Sequence, residues 1–503
     1  MAVGSVQQDA ERRALASVPP LLFVGGAWRE PADGATQLVE DPATGLGLCE
    51  VADAAAEDAL AALAAAERAF PAWRAAAPRT RADVLRRAFE LMIARQEELA
   101  LVITLEMGKP LVEARAEVAY AASFMRWYSE ESVRIAGRFG VDEQARGRVL
   151  TLQQPVGPCV FVTPWNFPLA MGARKAAPAI AAGCTMVVKP APQTPLSMLA
   201  MARVLEDAGL PAGVLNVVPT SSAESVVAPL LGDARVRKLS FTGSTGVGKQ
   251  LLGQAAHQVL RVSMELGGNA PFLVFDDADL DRAVDGALLA KLRNGGEACT
   301  SANRFLVHEH VAAAFSERLA QRMAAMRVGR GTAAGVQLGP LIDERQRAKV
   351  EELVDDAVKR GASVALGGAR RPGDGYFYAP TVLTDVPPDA RLLHEEIFGP
   401  VAPVTTFSDD AEAIAVANDT EYGLVAYVFT QDVDRAFQAI EQLDVGMVGL
   451  NQGVVSSAGA PFGGVKQSGI GREGGPEGLH EYLETKYVAM DAGRGAAPCP
   501  PAQ

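Results

Sequence analysis

Cysteine and histidine are scarce, with five of each in 503 residues. The cysteines (Cys49, Cys159, Cys184, Cys299, Cys499) are odd in number and form no Cys-x-x-Cys pair, which excludes a disulfide framework in so long a chain. A reducing cytoplasm is the expected location. The histidines are scattered except for His308-Glu309-His310 at the end of an expected strand. Two imidazoles there lack the further ligands that a metal ion needs, so no metal site is expected. No apolar run reaches the length of a membrane span, and Met1 to Pro20 lacks the apolar segment of a secretory signal. Positive charge is also in deficit: 47 Lys and Arg against 60 Asp and Glu leave a net charge of −13. That excludes the basic face on which a nucleic-acid binder depends and disfavours an anionic membrane surface. Neither nucleic acid nor membrane is expected as a partner.

What is present is ordinary globular material, 49% hydrophobic, enough for two or three domains. Residues 1–20 are expected to fray. Residues 21–28 read as a hairpin turning at Gly25-Gly26. Helical spacing then covers 54–77, 80–107 and 111–135, a packing layer without evident chemistry. Residues 149–152 look like strand. From 159 the pattern alternates: strands at 159–162, 185–188, 214–218, 236–241, 261–264 and 272–275, with helices at 169–182, 197–208, 222–231 and 246–257. A second run begins after Cys299, with strands at 305–307, 364–366, 381–383, 401–407, 426–429 and 447–450 and helices at 311–326 and 344–360. Residues 481–490 read as a further strand, and the Gly-, Ala- and Pro-rich tail 491–503 as disordered. Such alternation predicts an α/β protein with parallel sheets covered on both faces, whose ligands bind at the carboxyl ends of strands.

Four stretches carry chemistry. Residues 293–304, Arg-Asn-Gly-Gly-Glu-Ala-Cys-Thr-Ser-Ala-Asn-Arg, present Cys299 on a loop of glycines and small polar residues rather than inside an apolar run, where a thiol stays inert. Glu265 closes a strand and precedes Leu266-Gly267-Gly268-Asn269, which makes it a candidate general base beside a thiol. The turn Phe241-Thr242-Gly243-Ser244-Thr245-Gly246-Val247-Gly248 joins strand to helix, where backbone N–H groups can meet a phosphate. Its spacing is neither G-x-G-x-x-G nor a P-loop. Thr163-Pro164-Trp165-Asn166-Phe167-Pro168 ends the first parallel strand, and the Asn166 amide there can donate to an anionic oxygen. Each feature has a plain structural alternative: an inert loop thiol, a solvated or salt-bridged acid, a helix cap, and an ordinary turn around a buried Trp.

Taken together and in order, these motifs resemble the aldehyde dehydrogenase superfamily over about residues 20–490, along with Glu395-Glu396-Ile397-Phe398-Gly399-Pro400 and Pro461-Phe462-Gly463-Gly464. The resemblance implies a cofactor-binding domain (1–136 and 156–264), a catalytic domain (265–480) and a small β arm for oligomerisation (137–155 and 481–490), giving a homodimer or homotetramer. It implies that Cys299 attacks an aldehyde, that Asn166 and the Cys299 N–H hold the oxyanion, and that Glu265 activates the water that hydrolyses the thioester. It further implies a cofactor, NAD or NADP, with Glu396 on the nicotinamide ribose, Phe398 beside the ring, Lys189 near the adenosine ribose and Ser244 on the pyrophosphate. Thr163, Trp165, Pro192, Gly243 and Gly248 complete the cofactor contacts.

The substrate reading rests on two arginines. Arg174 lies on the helix that follows Asn166, and Arg293 lies six residues before Cys299. As a pair they suggest a clamp for a carboxylate. With Ser456 they are similar to positions that hold the distal carboxylate in succinate-semialdehyde dehydrogenases. The expected reaction is oxidation of succinate semialdehyde to succinate. The alternatives are a longer ω-carboxylate semialdehyde, such as glutarate semialdehyde, and a non-catalytic protein of the same fold. Ser301 stands where some of these enzymes carry a second cysteine, which removes a disulfide switch on the loop. Pro192 stands where relatives that prefer NAD often have Glu. NADP use is therefore expected, with Lys189 as a point charge for its phosphate.

Overall fold

The computed structural model describes residues 2–144 and 146–491. Its first sheet has eight strands. Five parallel strands form the centre, in the order Leu215–Val217, Thr185–Lys189, Pro158–Val162, Lys238–Thr242 and Arg261–Glu265. Four of these are buried along their whole length, as expected of strands covered by helices on both faces. The hairpin Leu22–Val24/Ala27–Arg29 flanks one edge. The short strand Gly469–Ile470 flanks the other, antiparallel to Met264 and Glu265. Chain order reverses between Pro158–Val162 and Lys238–Thr242, so a crevice opens at their carboxyl ends. Both strand-to-helix turns singled out in the sequence lie at that crevice.

The second sheet has seven strands, in the order Ser363–Leu366, Thr381–Thr384, Val401–Phe407, Ala302–His308, Ala270–Val274, Val425–Phe429 and Met447–Leu450. All pairings are parallel except the first. The strand Ala270–Val274 thus belongs to this sheet and follows Glu265 directly, so the chain crosses from one sheet to the other at Leu266-Gly267-Gly268-Asn269. A third sheet, antiparallel, joins Leu483–Asp491, Gly147–Pro155 and Arg138–Val141.

The helical layer does more than pack. Helices Pro168–Ala182 and Pro195–Asp207 start without a capping side chain of their own. Two buried carboxylates from other helices serve instead. Glu117, on Leu111–Glu131, accepts the N–H groups of Leu169 (3.0 Å) and Ala170 (3.2 Å). Glu106, on Gln96–Met107, accepts those of Leu196 and Ser197, both at 2.8 Å, and the Ser197 hydroxyl. Free N–H groups at a helix start favour a negative charge, and each carboxylate pins one loop at the crevice.

Several expectations need correction. The N-terminus does not fray: Ala2–Ala16 is a helix, with Ala14 and Val18 buried in the main core and Glu11 paired with Arg330 at 3.1 Å. The expected helix at 80–107 is two, Pro78–Ala94 and Gln96–Met107, broken at Arg95 (φ −103°, ψ 20°). The buried positions Met92 and Leu99 flank the break two turns apart, so the periodicity runs through it. Strands Thr36–Asp41 and Leu46–Ala52 form a hairpin that the sequence reading passed over. It also passed over the helix Leu280–Leu292, capped by Asp279, which delivers the Cys299 loop. Asp491 closes a strand rather than opening the tail. The rest of the expected tail, 492–503, with Cys499, lies outside the described residues.

Candidate active site

A cavity of about 810 Å³ lies where the two sheets meet, and Cys299 opens into it. The loop that carries the thiol has an unusual backbone. After Leu292 the chain turns through Asn294 (φ 56°), Gly295 (φ 66°) and Gly296 (φ 79°), the left-handed region that favours glycine and tolerates Asn. Gly296 also needs its missing side chain, since a Cβ there would fall 2.3 Å from the Gly399 carbonyl oxygen. Across the loop, a Cβ on Gly268 would meet the Cys299 carbonyl oxygen at 2.4 Å. The thiol loop is therefore pressed between the strand crossover and the segment that carries Glu396 and Phe398.

Asn166 is tied to this loop. Its side-chain Nδ2 donates to the Glu297 carbonyl (2.9 Å). Its own carbonyl accepts from Asn294 Nδ2 (3.0 Å) and from Lys109 Nζ (2.8 Å). Asn294 Nδ2 reaches the Glu297 carbonyl as well (2.9 Å), and its backbone N–H donates to Glu113 (2.8 Å). Lys109 in turn is ion-paired with Glu117 at 2.5 Å, both side chains buried. One of the two Asn166 amide hydrogens stays available at the cavity wall.

The electrostatics describe a resting state. Burial pushes the Cys299 thiol up to about 12, Glu265 and Glu396 push it the same way, and Arg174 and Arg293 oppose them. Burial also holds the Glu265 carboxyl well above the usual carboxylate range, helped by the charge of Glu473. Glu265 is 4% exposed, its Oε2 has no hydrogen-bond partner among the described residues, and it does not line the cavity, although Leu266 and Gly267 after it do. Thiol and acid are both neutral here, and the thiol becomes a nucleophile when something lowers its pKa.

The two arginines differ. Arg293 lines the cavity over the Phe167 ring (5.3 Å) with only a long contact to Thr300 Oγ1 (3.4 Å) and no carboxylate paired to it among the described residues. Arg174 also lines the cavity but is already engaged: its Nη2 lies 2.7 Å from Glu473 Oε2, and its guanidinium stacks 3.9 Å from the centre of Phe462. Lys175 takes the other Glu473 oxygen at 2.6 Å. The clamp expected from sequence is therefore unequal, with Arg293 the freer partner. Arg174 Nε remains buried without a partner. Ser456 is on the same wall. Tyr120, from the helix read as mere packing, is there too; an inward-facing aromatic on an amphipathic helix carries no signal that separates it from core.

The other end of the cavity suits a dinucleotide. Thr163, Trp165, Lys189, Pro192, Gly243, Ser244, Glu396 and Phe398 all line it. Ser244 precedes helix Thr245–Ala256 without capping it, which leaves the helix N–H groups free for a phosphate. A Cβ at Gly243 would lie 2.5 Å from the Phe241 ring. Lys189 is 4% exposed, has no ion pair among the described residues, and is pulled down to about 8 by burial alone, so its ammonium lacks the anion that a phosphate would supply. Phe398 is held at φ 56° and meets Trp165 edge-on at 5.3 Å. Gly248 does not reach the cavity; a Cβ there would lie 2.4 Å from Leu266 Cδ2, so it serves helix-to-sheet packing. Away from the cavity, Asp276 joins His308 and His310 with ligand atoms within 4.8 Å of one another, a third group the sequence did not offer. Asp276 is paired with Arg435 (3.0 Å), and His308 Nδ1 accepts the His310 N–H (3.3 Å).

The aldehyde dehydrogenase family model matches residues 28–488. A succinate-semialdehyde dehydrogenase of Paenarthrobacter nicotinovorans is 58% identical over 443 residues, 88% of this chain and 98% of that protein. A glutarate-semialdehyde dehydrogenase of Pseudomonas aeruginosa is 50% identical over 468 residues, 93% and 97% of the two chains. The crystal structure of an NADP-dependent enzyme from E. coli superposes with a TM-score of 0.93 at 50% identity, covering 94% of this chain and 98% of that one.

The neutral resting thiol has a direct consequence. In cofactor-free protein, alkylation of Cys299 by iodoacetamide, followed by peptide mass spectrometry, is expected to rise about tenfold per pH unit from pH 7 to 10 as thiolate is titrated in. A rate that levels off below pH 8 would contradict the burial argument.

Proposed function

The chain belongs to the aldehyde dehydrogenase family, and we propose that it oxidises succinate semialdehyde to succinate through a thioester on Cys299. It is an NAD(P)-dependent semialdehyde dehydrogenase whose relatives include both succinate- and glutarate-semialdehyde enzymes. The observation that carries the carboxylated substrate is Arg293, an unpaired guanidinium on the cavity wall that holds Cys299. An unpaired cation in a half-buried site calls for an anion from outside. Greater identity to the succinate-semialdehyde enzyme, 58% against 50%, supports the shorter chain. A glutarate-sized substrate is the second reading, since one methylene is worth only about 1–3 kcal/mol of discrimination.

In the proposed reaction, Cys299 Sγ adds to the aldehyde carbon. The free Asn166 amide hydrogen and the Cys299 backbone N–H hold the developing oxyanion. A nicotinamide held by Glu396 and Phe398 would supply the hydride acceptor for this adduct, whose acyl group then stays on sulfur. Glu265, having lost its proton and turned toward the thioester, takes one from water, and the carboxylic acid leaves. With a carboxylate seated on Arg293, the cavity wall loses net positive charge, so the cofactor end rather than the substrate must favour the thiolate.

We read the cofactor as NAD or NADP, with NADP well used. Pro192 supplies no carboxylate against a 2′-phosphate, and Lys189 stands nearby as an unpaired ammonium. The third sheet supports a homo-oligomer. Pairing places Phe139, Val141, Leu152 and Met490 on one face, and all four are exposed, Phe139 by 66%. A second copy of the chain is the natural cover for such a face.

Two measurements test this reading. Arg293→Ala is expected to lower kcat/KM for succinate semialdehyde by about 2–5 kcal/mol in transition-state terms while changing that for butanal less than about tenfold. Equal losses on both aldehydes would make Arg293 structural. Pro192→Glu is expected to raise KM for NADP by about tenfold or more, as a carboxylate meets a phosphate, while NAD turnover holds. An unchanged cofactor ratio would place the discrimination elsewhere in the cavity.

A further inference from the structure

Arg174, Arg293 and Ser456 do not exhaust the polar groups around the substrate end of the cavity. Tyr120 stands with them on the wall. Its ring is set edge-on against Phe124 at 4.9 Å, within the helix Leu111–Glu131, whose Phe124 and Tyr128 are fully buried. That packing fixes where the phenol points. Its hydroxyl is buried, and its O–H has no acceptor at good hydrogen-bond geometry among the described residues. Native proteins rarely leave such a donor unpaired, because the desolvated group forfeits about 1–3 kcal/mol. The neighbouring Tyr128, by contrast, is satisfied through the Gly475 carbonyl at 3.1 Å.

The charges nearby show what is missing. Burial raises the Tyr120 hydroxyl pKa, Arg174 and Arg293 pull it down, Glu473 pushes it up, and a hydrogen bond from the Ser456 side chain to the phenol oxygen lowers it. The phenol therefore stays protonated at working pH and can donate. Arg174 cannot supply the whole of a carboxylate's demand, because Glu473 already holds its Nη2 and balances part of its charge. The arrangement is rigid: Glu473 and Phe462 exchange backbone hydrogen bonds (2.6 and 2.8 Å), so the charge beside Arg174 and the ring beneath it move as one unit. What remains open to a ligand is Arg174 Nε, the Arg293 guanidinium and the Tyr120 hydroxyl. All three are donors, and among the described residues none has an acceptor closer than the 3.4 Å contact of Arg293 with Thr300 Oγ1.

We propose that Tyr120 is a specificity-determining residue whose hydroxyl donates to the distal carboxylate of the substrate, completing with Arg293 and Arg174 Nε a donor set that selects carboxylated over uncharged aldehydes. This rests on the carboxylated-semialdehyde reading above. A phenol adds a short, neutral donor of fixed direction, so it rewards an acceptor in one place, whereas the arginines attract an anion from a distance. Tyr120 does not touch the reacting carbon in this account, so its removal acts on binding of one end of the substrate.

The test is Tyr120→Phe, with kcat and KM measured for succinate semialdehyde and for butanal at saturating NADP, and the melting temperature recorded for both proteins. The expected result is a KM for succinate semialdehyde raised about tenfold or more, kcat within about twofold, butanal kinetics unchanged, and a melting temperature that holds or rises, because the lost O–H had no acceptor at good geometry in the protein. An unchanged KM for succinate semialdehyde, or equal losses on both aldehydes, overturns the inference. So does a fall in melting temperature, which would reveal an internal acceptor for the hydroxyl. Wild-type enzyme that does not favour succinate semialdehyde over butanal would instead overturn the carboxylated-substrate reading itself, and the Tyr120 assignment with it.

Discussion

The site depends on one hydrogen-bonded knot, in which the Asn166 and Asn294 side chains both donate to the Glu297 carbonyl while Asn294 and Lys109 both reach the Asn166 carbonyl. Asn166 lies in the turn between a first-sheet strand and the helix Pro168–Ala182, and Asn294 and Glu297 belong to the loop that enters the second sheet. The knot therefore fixes the proposed oxyanion donor relative to the proposed nucleophile across the seam between sheets. Its buried cation, Lys109, is stable there because Glu117 pairs with it; without that partner a buried ammonium would lose its proton or leave. Glu117 also caps the helix that carries Arg174. A single carboxylate thus ties the helix start, the lysine and, through the lysine, the thiol loop.

Around this knot the charged groups are arranged to hold their chemistry in reserve. Burial keeps both the Cys299 thiol and the Glu265 carboxyl neutral, which protects a nucleophile from stray oxidation and alkylation until ligands arrive. At one end of the cavity Lys189 waits without an anion, and at the other Arg293 and Tyr120 do. Each open donor marks where a ligand must bring a negative charge, and the two ends call for different ones: a phosphate-bearing cofactor and a carboxylated aldehyde.

Sequence made local features legible. The Cys299 loop stood out because glycines and small polar residues cannot build a core, and the strand-to-helix turns at 163–168 and 241–248 because Gly and Pro punctuate the alternation. Features that rest on distant partners were not legible. Lys175 and Glu473 are 298 positions apart, so nothing near Arg174 announces that its guanidinium is engaged. Tyr120 has the spacing of a core residue, and only the fold turns it to the cavity. Gly248 failed in the opposite sense: it shares a glycine-rich turn with Gly243, yet helical geometry points it at Leu266. The N-terminal helix looked like a loose polar tail because its apolar positions are mostly alanines, which gain their meaning from the groove that receives them.

The central claim is that a carboxylated aldehyde becomes a thioester on Cys299 and that Glu265 releases it. The most direct measurement is intact-protein and peptide mass spectrometry of Glu265→Gln quenched during turnover with succinate semialdehyde and NADP. The account predicts one succinyl group per chain, on the peptide that carries Cys299, accumulating because hydrolysis is slowed. Continued turnover with no label on that peptide, or a label on another residue, would contradict it.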